Sequence, residues 1–568
     1  MEFDIQSARN SLKTKDFGLA IAQYQELISR SPSDYILYLE LSSALIGLDK
    51  LDEALVVIKQ IERQGSNIDA EVDLQKGNIY LAQGRFLEAI HILSSIHSKS
   101  CEDRVRTALS SAYINLGLPS KVEDLFDGVP KEELSIGDIN NLAISLSEQM
   151  QTSNALEVLH ARISKNHFDA STISNLLMLS NYDQNPEKFV SAAKSEINKN
   201  SKNTNSFIRP QSSKKVPKIG FVSGDMNQHP VGWFSIGLLR ELAKTHPMAI
   251  YYTGQKIDQL TNDLISISPT FCFAKDLSDI ELANKILADE IDVLIDLSGH
   301  TANSRISLFK QRVAPIQLSY LGYFASTHMP QMDGVIFDKW HMSNVPKESF
   351  SETIYELPCS RFCYTPPPYA PEPKLLPALA NGIITFCSFS STAKINSTCI
   401  EMWARTLIAI PNSRIQLRWK TLRDHKLRSH IRALFLSHGV SNSRVELYPE
   451  CDHESLFHFY NEVDIALDTF PFAGATTSCE ALWMGVPVVT RTGQTPASNQ
   501  TASILAEIGL DDFITNSIEE FVETAKKLSL DLNKLSNLRL TMRDRVSKST
   551  LGNPKAFAEK FSQLVNGL

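Results

Sequence analysis

Five short segments recur along the first third of the chain: AIAQY from Ala20, ALVVI from Ala54, AIHIL from Ala89, VEDLF from Val122 and ALEVL from Ala155. Their starts lie 34, 35, 33 and 33 residues apart. No other feature constrains the fold as much, because a unit of that length buries its apolar face only by stacking on its neighbours. Each segment opens on a small or modest apolar residue, where the second helix of a pair must approach the first closely. Matching turns precede three of them: KDF before Ala20, DKL before Ala54 and GRF before Ala89. The preceding helices match as well. Leu39, Leu45 and Ile46 stand at the same offsets from Ala54 as Leu74, Tyr80 and Leu81 do from Ala89. The expected structure over 1–197 is a superhelix of paired antiparallel helices. Its concave face either binds a protein or peptide or packs on the domain that follows. A non-repetitive bundle is the alternative, and spacing this regular disfavours it.

With 568 residues the chain is too long for one core, and roughly three or four domains are expected. Residues 198–215, rich in Asn, Ser and Lys, read as a linker. At Lys218 the texture changes to short apolar strands alternating with helices. Strands are expected at Ile219–Ser223, Ala249–Thr253 and Ile291–Asp296, with a helix from Phe234 to Lys244. A Pro-rich stretch, Pro366–Pro377, interrupts the pattern. It resumes with strands at Ile383–Ser388, Ile415–Trp419 and Val445–Leu447 and helices near Ser397–Ile410 and Asp424–Ser437. Alternation of this kind means parallel sheets covered by helices on both faces. Two doubly wound domains, 216–375 and 376–568, with a cleft between them are the natural reading. Ligands of such sheets sit beyond the strand carboxyl ends.

Four post-strand loops carry candidate chemistry. The first holds Asp225, His229 and Pro230, with an imidazole suited to proton transfer near neutrality; a structural or solvent-facing histidine is the alternative. The second, LSGHTANSR, holds His300, Thr301 and Arg305 as candidate donor-binding groups, or is a plain strand-to-helix turn. The third, FSSTAKIN, sets Lys394 just before a helix capped by Asn396, where an ammonium can neutralise a leaving diphosphate; a solvated surface lysine is the alternative. The fourth lies in DIALDTFPFAGATTSCEALWMGVPVVT, from Asp464. There a strand leads through the loop Phe470–Ala475, with Gly474, to a helix opened by Thr476 and Thr477. A helix start in that position holds a diphosphate, and Glu480 on its first turn is in reach of a ribose hydroxyl. An ordinary crossover with Thr476 as a plain cap is the competing reading. Arg418 and Lys420 add charge nearby or are solvated edge residues.

Neither GxxxxGK[ST] nor GxGxxG occurs, and no His/Asp/Glu cluster has metal-ligand spacing, which favours a nucleoside diphosphate leaving group neutralised by Lys394 and a helix start instead of a metal. The net charge of −8 gives no electrostatic reason to expect nucleic-acid binding. The eight scattered cysteines read as reduced thiols of a cytoplasmic protein. The start MEFDIQSARN lacks the basic and apolar regions of a signal peptide, and no apolar run is long enough for a membrane span.

The period near 34 resembles the tetratricopeptide repeat. The ordered segments GDMNQHPVGWF, IDVLIDLSGHTANSRISLFKQRVAPIQLSYLGY, FCSFSSTAKINSTCIEMWARTLIAIPNSR and the Asp464 stretch closely resemble the protein O-linked N-acetylglucosamine transferase family, over nearly all of 216–568. A repeat array is that family's usual partner module. The resemblance implies α + α/β architecture: a tetratricopeptide-like superhelix, then a GT-B fold of two doubly wound domains. It implies inverting, metal-independent transfer of GlcNAc from UDP-GlcNAc to Ser or Thr hydroxyls of an acceptor protein or peptide, with no cofactor and with self-association through the repeats. His229 matches the family's HP histidine, base or positioning group; Lys394 matches the diphosphate lysine; Thr476 and Thr477 match the pair that holds the diphosphate; Glu480 falls where an acidic residue meets the ribose. Where many members have GYPGTSG, this chain has Gly322-Tyr323-Phe324-Ala325-Ser326-Thr327, which alters part of the sugar pocket. Leu456 stands where the family often has a histidine, with His453 and His458 nearby, and Ala473 and Ala475 also depart from common members. Spindly-type O-fucosyltransferases, which use a guanine nucleotide, share the skeleton and an FPYAG-like loop. A GDP-fucose or other hexosyl donor is therefore one alternative. A repeat scaffold whose α/β body only senses a nucleotide sugar is another.

Overall fold

The computed structural model describes residues 4–14, 16–63, 70–131, 133–164, 169–200 and 216–568. Two compact units are present, 1–146 and 147–568. In the first, the helices Phe17–Arg30, Leu51–Arg63, Phe86–Leu93 and Pro119–Phe126 repeat at the interval of the sequence motif. Each pairs with the helix before it. Ala20, Ala54, Ala89 and Val122 have no exposed surface, which accounts for small or modest side chains at those positions. The inter-helix turns use one left-handed residue at equivalent places, Asp49, Gly84 and Gly117, with φ of 61°, 71° and 71°. Aspartates 4, 16 and 34 cap helices by accepting from backbone N–H groups.

The second unit opens with three more helices, Thr152–Ile163, Ala170–Ser180 and Glu187–Asn200. The division thus falls inside the helical array, earlier than the array's expected end at 197. Specific contacts explain it: Ser174 Oγ is 2.9 Å from His300 Nδ1, Tyr323 Oη donates to the Leu177 carbonyl at 3.4 Å, and Gln184 Nε2 donates to Thr398 Oγ1 at 2.7 Å. Of the expected linker, residues 201–215 lie outside the described residues, and 198–200 end the last of these helices.

The first sheet comprises β1 (Ile219–Ser223), β2 (Met248–Tyr252), β3 (Thr270–Phe273), β4 (Val293–Asp296), β5 (Ile316–Ser319), β6 (Gly334–Asp338) and β7 (Thr353–Leu357), all parallel, in the order β3-β2-β1-β4-β5-β6-β7. It is wider than hydrophobic patterning alone suggests. β3 and β7 are incompletely buried edges, and β5 carries Gln317, whose amide is satisfied by the Val313 N–H and the Phe309 carbonyl. The second sheet comprises β8 (Ile384–Ser388), β9 (Ser413–Arg418), β10 (Val445–Tyr448), β11 (Ile465–Leu467), β12 (Val488–Arg491) and β13 (Ile514–Thr515), in the order β10-β9-β8-β11-β12-β13. Ile219 pairs with both Met248 and Val293, and Phe386 with both Ile415 and Ile465. Each sheet therefore reverses its winding once, between β1 and β4 and between β8 and β11. Those reversals leave a crevice at the strand carboxyl ends.

The helix expected from Phe234 begins at Pro230, because His229 is its N-cap and proline needs no N–H at the first position. The final helix, Pro554–Asn566, returns to pack on it. Gly237 permits that approach: a Cβ there would lie 2.8 Å from Pro554 Cγ and 2.7 Å from Thr365 Oγ1. Between the lobes, Asn499 Nδ2 donates to the Ser343 carbonyl at 2.9 Å and Ser503 Oγ to Asp338 Oδ2 at 2.8 Å. Among the described residues no helix is long and apolar enough to cross a membrane.

Candidate active site

The loops at the β8/β11 reversal meet around Lys394. After β8, a short turn Thr392–Lys394 leads to the helix Ser397–Ala409, whose cap Asn396 accepts from Cys399 N at 3.0 Å. After β11, Asp468 closes the next loop on itself. Its Oδ1 accepts from the N–H groups of Thr469 (2.8 Å) and Gly474 (2.7 Å), and its Oδ2 from Thr490 Oγ1 (2.7 Å). Lys394 Nζ donates to the Ala473 carbonyl at 3.1 Å and lies 4.2 Å from the Phe472 ring centroid. Burial pulls its pKa down to about 8, against the opposing pull of the Asp468 charge.

The helix Thr476–Trp483 starts beside this ammonium. Its N-cap is Ala475, which has no side-chain acceptor, so Thr476 is the first helical residue and not the cap. The first-turn amides are left to a ligand or solvent. Gly474 keeps the entrance narrow: a Cβ there would fall 2.3 Å from Ser478 Oγ and 3.0 Å from Thr477 Oγ1. Glu480, 3% exposed, accepts from His453 Nε2 at 2.7 Å. With that proton on Nε2, His453 Nδ1 accepts from Tyr369 Oη at 2.6 Å. Glu480 Oε2 has no hydrogen-bond partner among the described residues. The His453 ring centroid lies 6.3 Å from that of Trp233, which sets the Tyr369–His453–Glu480 relay against the first lobe.

On that lobe, His229 follows β1. Val231 N donates to its Nδ1 at 3.3 Å, and Asp225 Oδ2 lies 3.9 Å from the same atom. Burial lowers the imidazole's pKa and raises the Asp225 carboxyl's, each offset in part by the other's charge. Because Nδ1 accepts from a backbone donor, the neutral ring carries its hydrogen on Nε2. After β4, Asp296 accepts from Ser298 N and Gly299 N, and burial raises its pKa to about 6.

The structure gathers Lys394, Gly474, Thr476, Thr477 and Glu480 around one loop and helix start, and sets His229 on the adjoining lobe. His300 and Arg305 have internal partners instead. His300 is buried between Ser174 Oγ and the Thr327 carbonyl, to which its Nε2 donates at 2.8 Å. Arg305 Nε donates to Asp279 Oδ1 at 2.8 Å and its Nη2 to the Leu277 carbonyl at 2.6 Å. Arg418 lies 3.7 Å from the Phe459 ring centroid and donates to the Pro449 carbonyl at 3.2 Å. The altered segment after β5 meets the site through Phe324, edge-on to Phe472 at 5.4 Å. Asp468 and Phe472, inside the Asp464 stretch, and His453, near Leu456, shape the site although the sequence assigned them no role in it. A surface hollow of about 790 Å³ near Leu375, Arg414 and Leu540 lies at the amino ends of β8 and β9 and contains none of these groups. Among the described residues no three His, Cys, Asp or Glu side chains are grouped to hold a metal ion.

The model of the family described as Glycosyl transferase family 41 matches residues 187–364 and 375–561. The chain is 34% identical over 365 residues to the probable UDP-N-acetylglucosamine–peptide N-acetylglucosaminyltransferase SPINDLY of Solanum lycopersicum, covering 62% of this chain and 39% of that protein. It is 26% identical over 360 residues to the probable transferase of the same description, SEC, of Arabidopsis thaliana, covering 60% of this chain and 36% of that protein. The chain thus spans about two-fifths of the length of these two relatives. Among solved structures, a mutant of the O-GlcNAc transferase of Thermobaculum terrenum superposes with a TM-score of 0.73 at 25% identity, covering 99% of this chain and 97% of that one.

Proposed function

Because the chain belongs to glycosyl transferase family 41, we propose that it transfers GlcNAc from UDP-GlcNAc to Ser or Thr hydroxyls of an acceptor protein, with inversion and without a metal. The observation that carries this reading is Lys394 beside the uncapped Thr476 helix at the β8/β11 reversal. The acceptor oxygen bonds to the sugar's C1 as the bond from C1 to the diphosphate breaks. The electron pair leaves with the diphosphate, where the Lys394 ammonium and first-turn amides receive the charge. Glu480, through its unpartnered oxygen, takes a ribose hydroxyl. Gly474, Thr476 and Thr477 form the cradle; His300 and Arg305 contribute by holding the first lobe's loop.

His229 serves the acceptor side. In the tautomer set by Val231 N it donates through Nε2. It receives the hydroxyl proton only with its own hydrogen moved to Nδ1, facing Asp225. His229→Ala then lowers transfer far more than UDP binding; a comparable loss of both makes it a binding residue. The eight cysteines are all free, which fits a reducing cytoplasm.

GDP-fucose is the second reading, favoured by the FPFAG loop, which resembles the FPYAG-like loop of Spindly-type O-fucosyltransferases. A thermal-shift panel of UDP-, GDP- and dTDP-sugars tests both, since a ligand that binds only the folded state raises the melting temperature. A response to UDP-GlcNAc supports the first reading, and one confined to GDP-fucose replaces it. A chain that binds a donor yet neither hydrolyses nor transfers it is a scaffold.

A further inference from the structure

Lysine reaches its target on a flexible four-carbon stem, so its ammonium is only as well placed as the groups that hold it. Lys394 has two such groups, the Ala473 carbonyl and the Phe472 ring. Neither is an ion-pair partner. The position of Nζ therefore depends on what fixes the ring and the turn Thr392–Lys394.

Both are fixed from the helical hairpins. Tyr182, between the helices Ala170–Ser180 and Glu187–Asn200, lies with its ring centroid 4.8 Å from that of Phe472 and tilted by 38°. Phe324 meets the same ring edge-on, so Phe472 is held by two aromatic partners. Glu148, at the end of the helix Ile136–Glu148, accepts from Thr392 Oγ1 at 2.6 Å. Thr392 is the first residue of the turn that ends at Lys394, and its hydroxyl also lies 2.5 Å from Thr421 Oγ1. Gln184 Nε2 bonds Thr398 Oγ1 on the helix that follows. The helices before the α/β body thus touch the loop on both sides of the lysine.

We propose that Tyr182 and Glu148 are positioning residues for Lys394, holding the Phe472 ring and the Thr392 turn so that the ammonium meets the donor diphosphate. This rests on the reading of Lys394 as the diphosphate's cation. The helical segment contributes to the donor site itself, in addition to any role in binding an acceptor.

The test is calorimetric titration of the full chain with UDP and, separately, GDP. Tyr182→Ala weakens the diphosphate that binds by about 3- to 30-fold, the worth of one desolvated cation–π contact. Tyr182→Phe, which keeps the tilted ring contact, binds like the parent. Tyr182→Leu, which keeps bulk without an aromatic face, weakens binding as Ala does and guards against collapse of the loop. In a Lys394→Met background, Tyr182→Ala and Glu148→Ala have no further effect, because they act through the lysine. The inference is overturned if Tyr182→Phe binds as weakly as Tyr182→Ala, or if either alanine variant loses as much affinity in the Lys394→Met background as in the parent. If Lys394→Met alone leaves UDP and GDP affinity intact, the reading of the site fails and this inference with it.

Discussion

Lys394 has an acid–base behaviour that follows from its place. An amine whose pKa falls to about 8 in the folded chain, from an unfolded value of ~10.4, binds fewer protons folded than unfolded between those values. Folding stability from this group therefore rises with pH through that window, and the charged form is the disfavoured one. In the role proposed for Lys394, diphosphate binding needs the charged form. UDP or GDP affinity should thus be flat below pH 8 and fall as pH rises through it, whereas Lys394→Met should bind weakly with no such dependence. Calorimetry across pH 6.5–9.5 checks this, and a parent profile parallel to the variant's refutes it. Turnover should fall by about 10²–10³-fold in Lys394→Met, as when an oxyanion donor is removed. Two buried arginines make a separate contrast. Arg539 donates to the carbonyls of Lys374, Val463 and Tyr460. Arg361 has no exposed surface, and none of its three side-chain nitrogens has a hydrogen-bond partner among the described residues; the Phe337 ring lies 4.3 Å away. Arg361→Met should stabilise the fold by ~1–3 kcal/mol in chemical denaturation, since an unpaired buried cation is costlier than a packed apolar chain. A loss of stability would show that the aromatic cage more than offsets desolvation. The place of Lys394, between a strand end and a capping asparagine, was legible in the sequence. The partner of Arg305 was not, because Asp279, which binds it, comes from a helix start 26 residues earlier.

At the scale of elements, the Thr476–Trp483 helix is decided by a missing side chain. Serine, threonine, asparagine or aspartate at an N-cap satisfies the first-turn amides; Ala475 does not. Ala475→Asp should cap the helix and add about 1 kcal/mol of stability, while its carboxylate repels and replaces the diphosphate. The expected outcome is a higher melting temperature with UDP and GDP affinity reduced at least tenfold. A variant that gains stability and binds both as before would remove the helix start from the site. The local pattern had shown the strand, loop and helix of this unit, since apolar runs, Gly474 and Gly485 punctuate it. It had not shown that Thr476 lies inside the helix, because the cap is set by φ and ψ at Ala475. Nor had it shown His453 on Glu480, which pairs two helices through side chains 27 residues apart.

Across the whole molecule, both sheets reverse at the strands whose loops bear the candidate groups: β1 and β4 carry His229 and Asp296, β8 and β11 carry Lys394 and Thr476. The compact unit that contains them starts at Ser147. A fragment of residues 147–568 should therefore unfold in one cooperative transition. A fragment of 216–568 should be less stable, because His300, Tyr323, Thr392 and Thr398 lose partners worth about 1 kcal/mol each. Equal denaturation midpoints would place the boundary of the folding unit after the helices.

Repeat period, alternating strands and ordered loop motifs determined from the sequence alone that a helical superhelix precedes two doubly wound lobes, and which family the chain resembles. Those signals are local: helix and strand periods, turn residues and caps act over a few positions. Tertiary structure alone decided that the last hairpins belong with the α/β body, that Tyr182 and Glu148 reach the Lys394 loop, and that Arg305 turns inward. Such contacts join residues 26 to 290 positions apart. They depend on packing of whole elements, which no short window of sequence encodes.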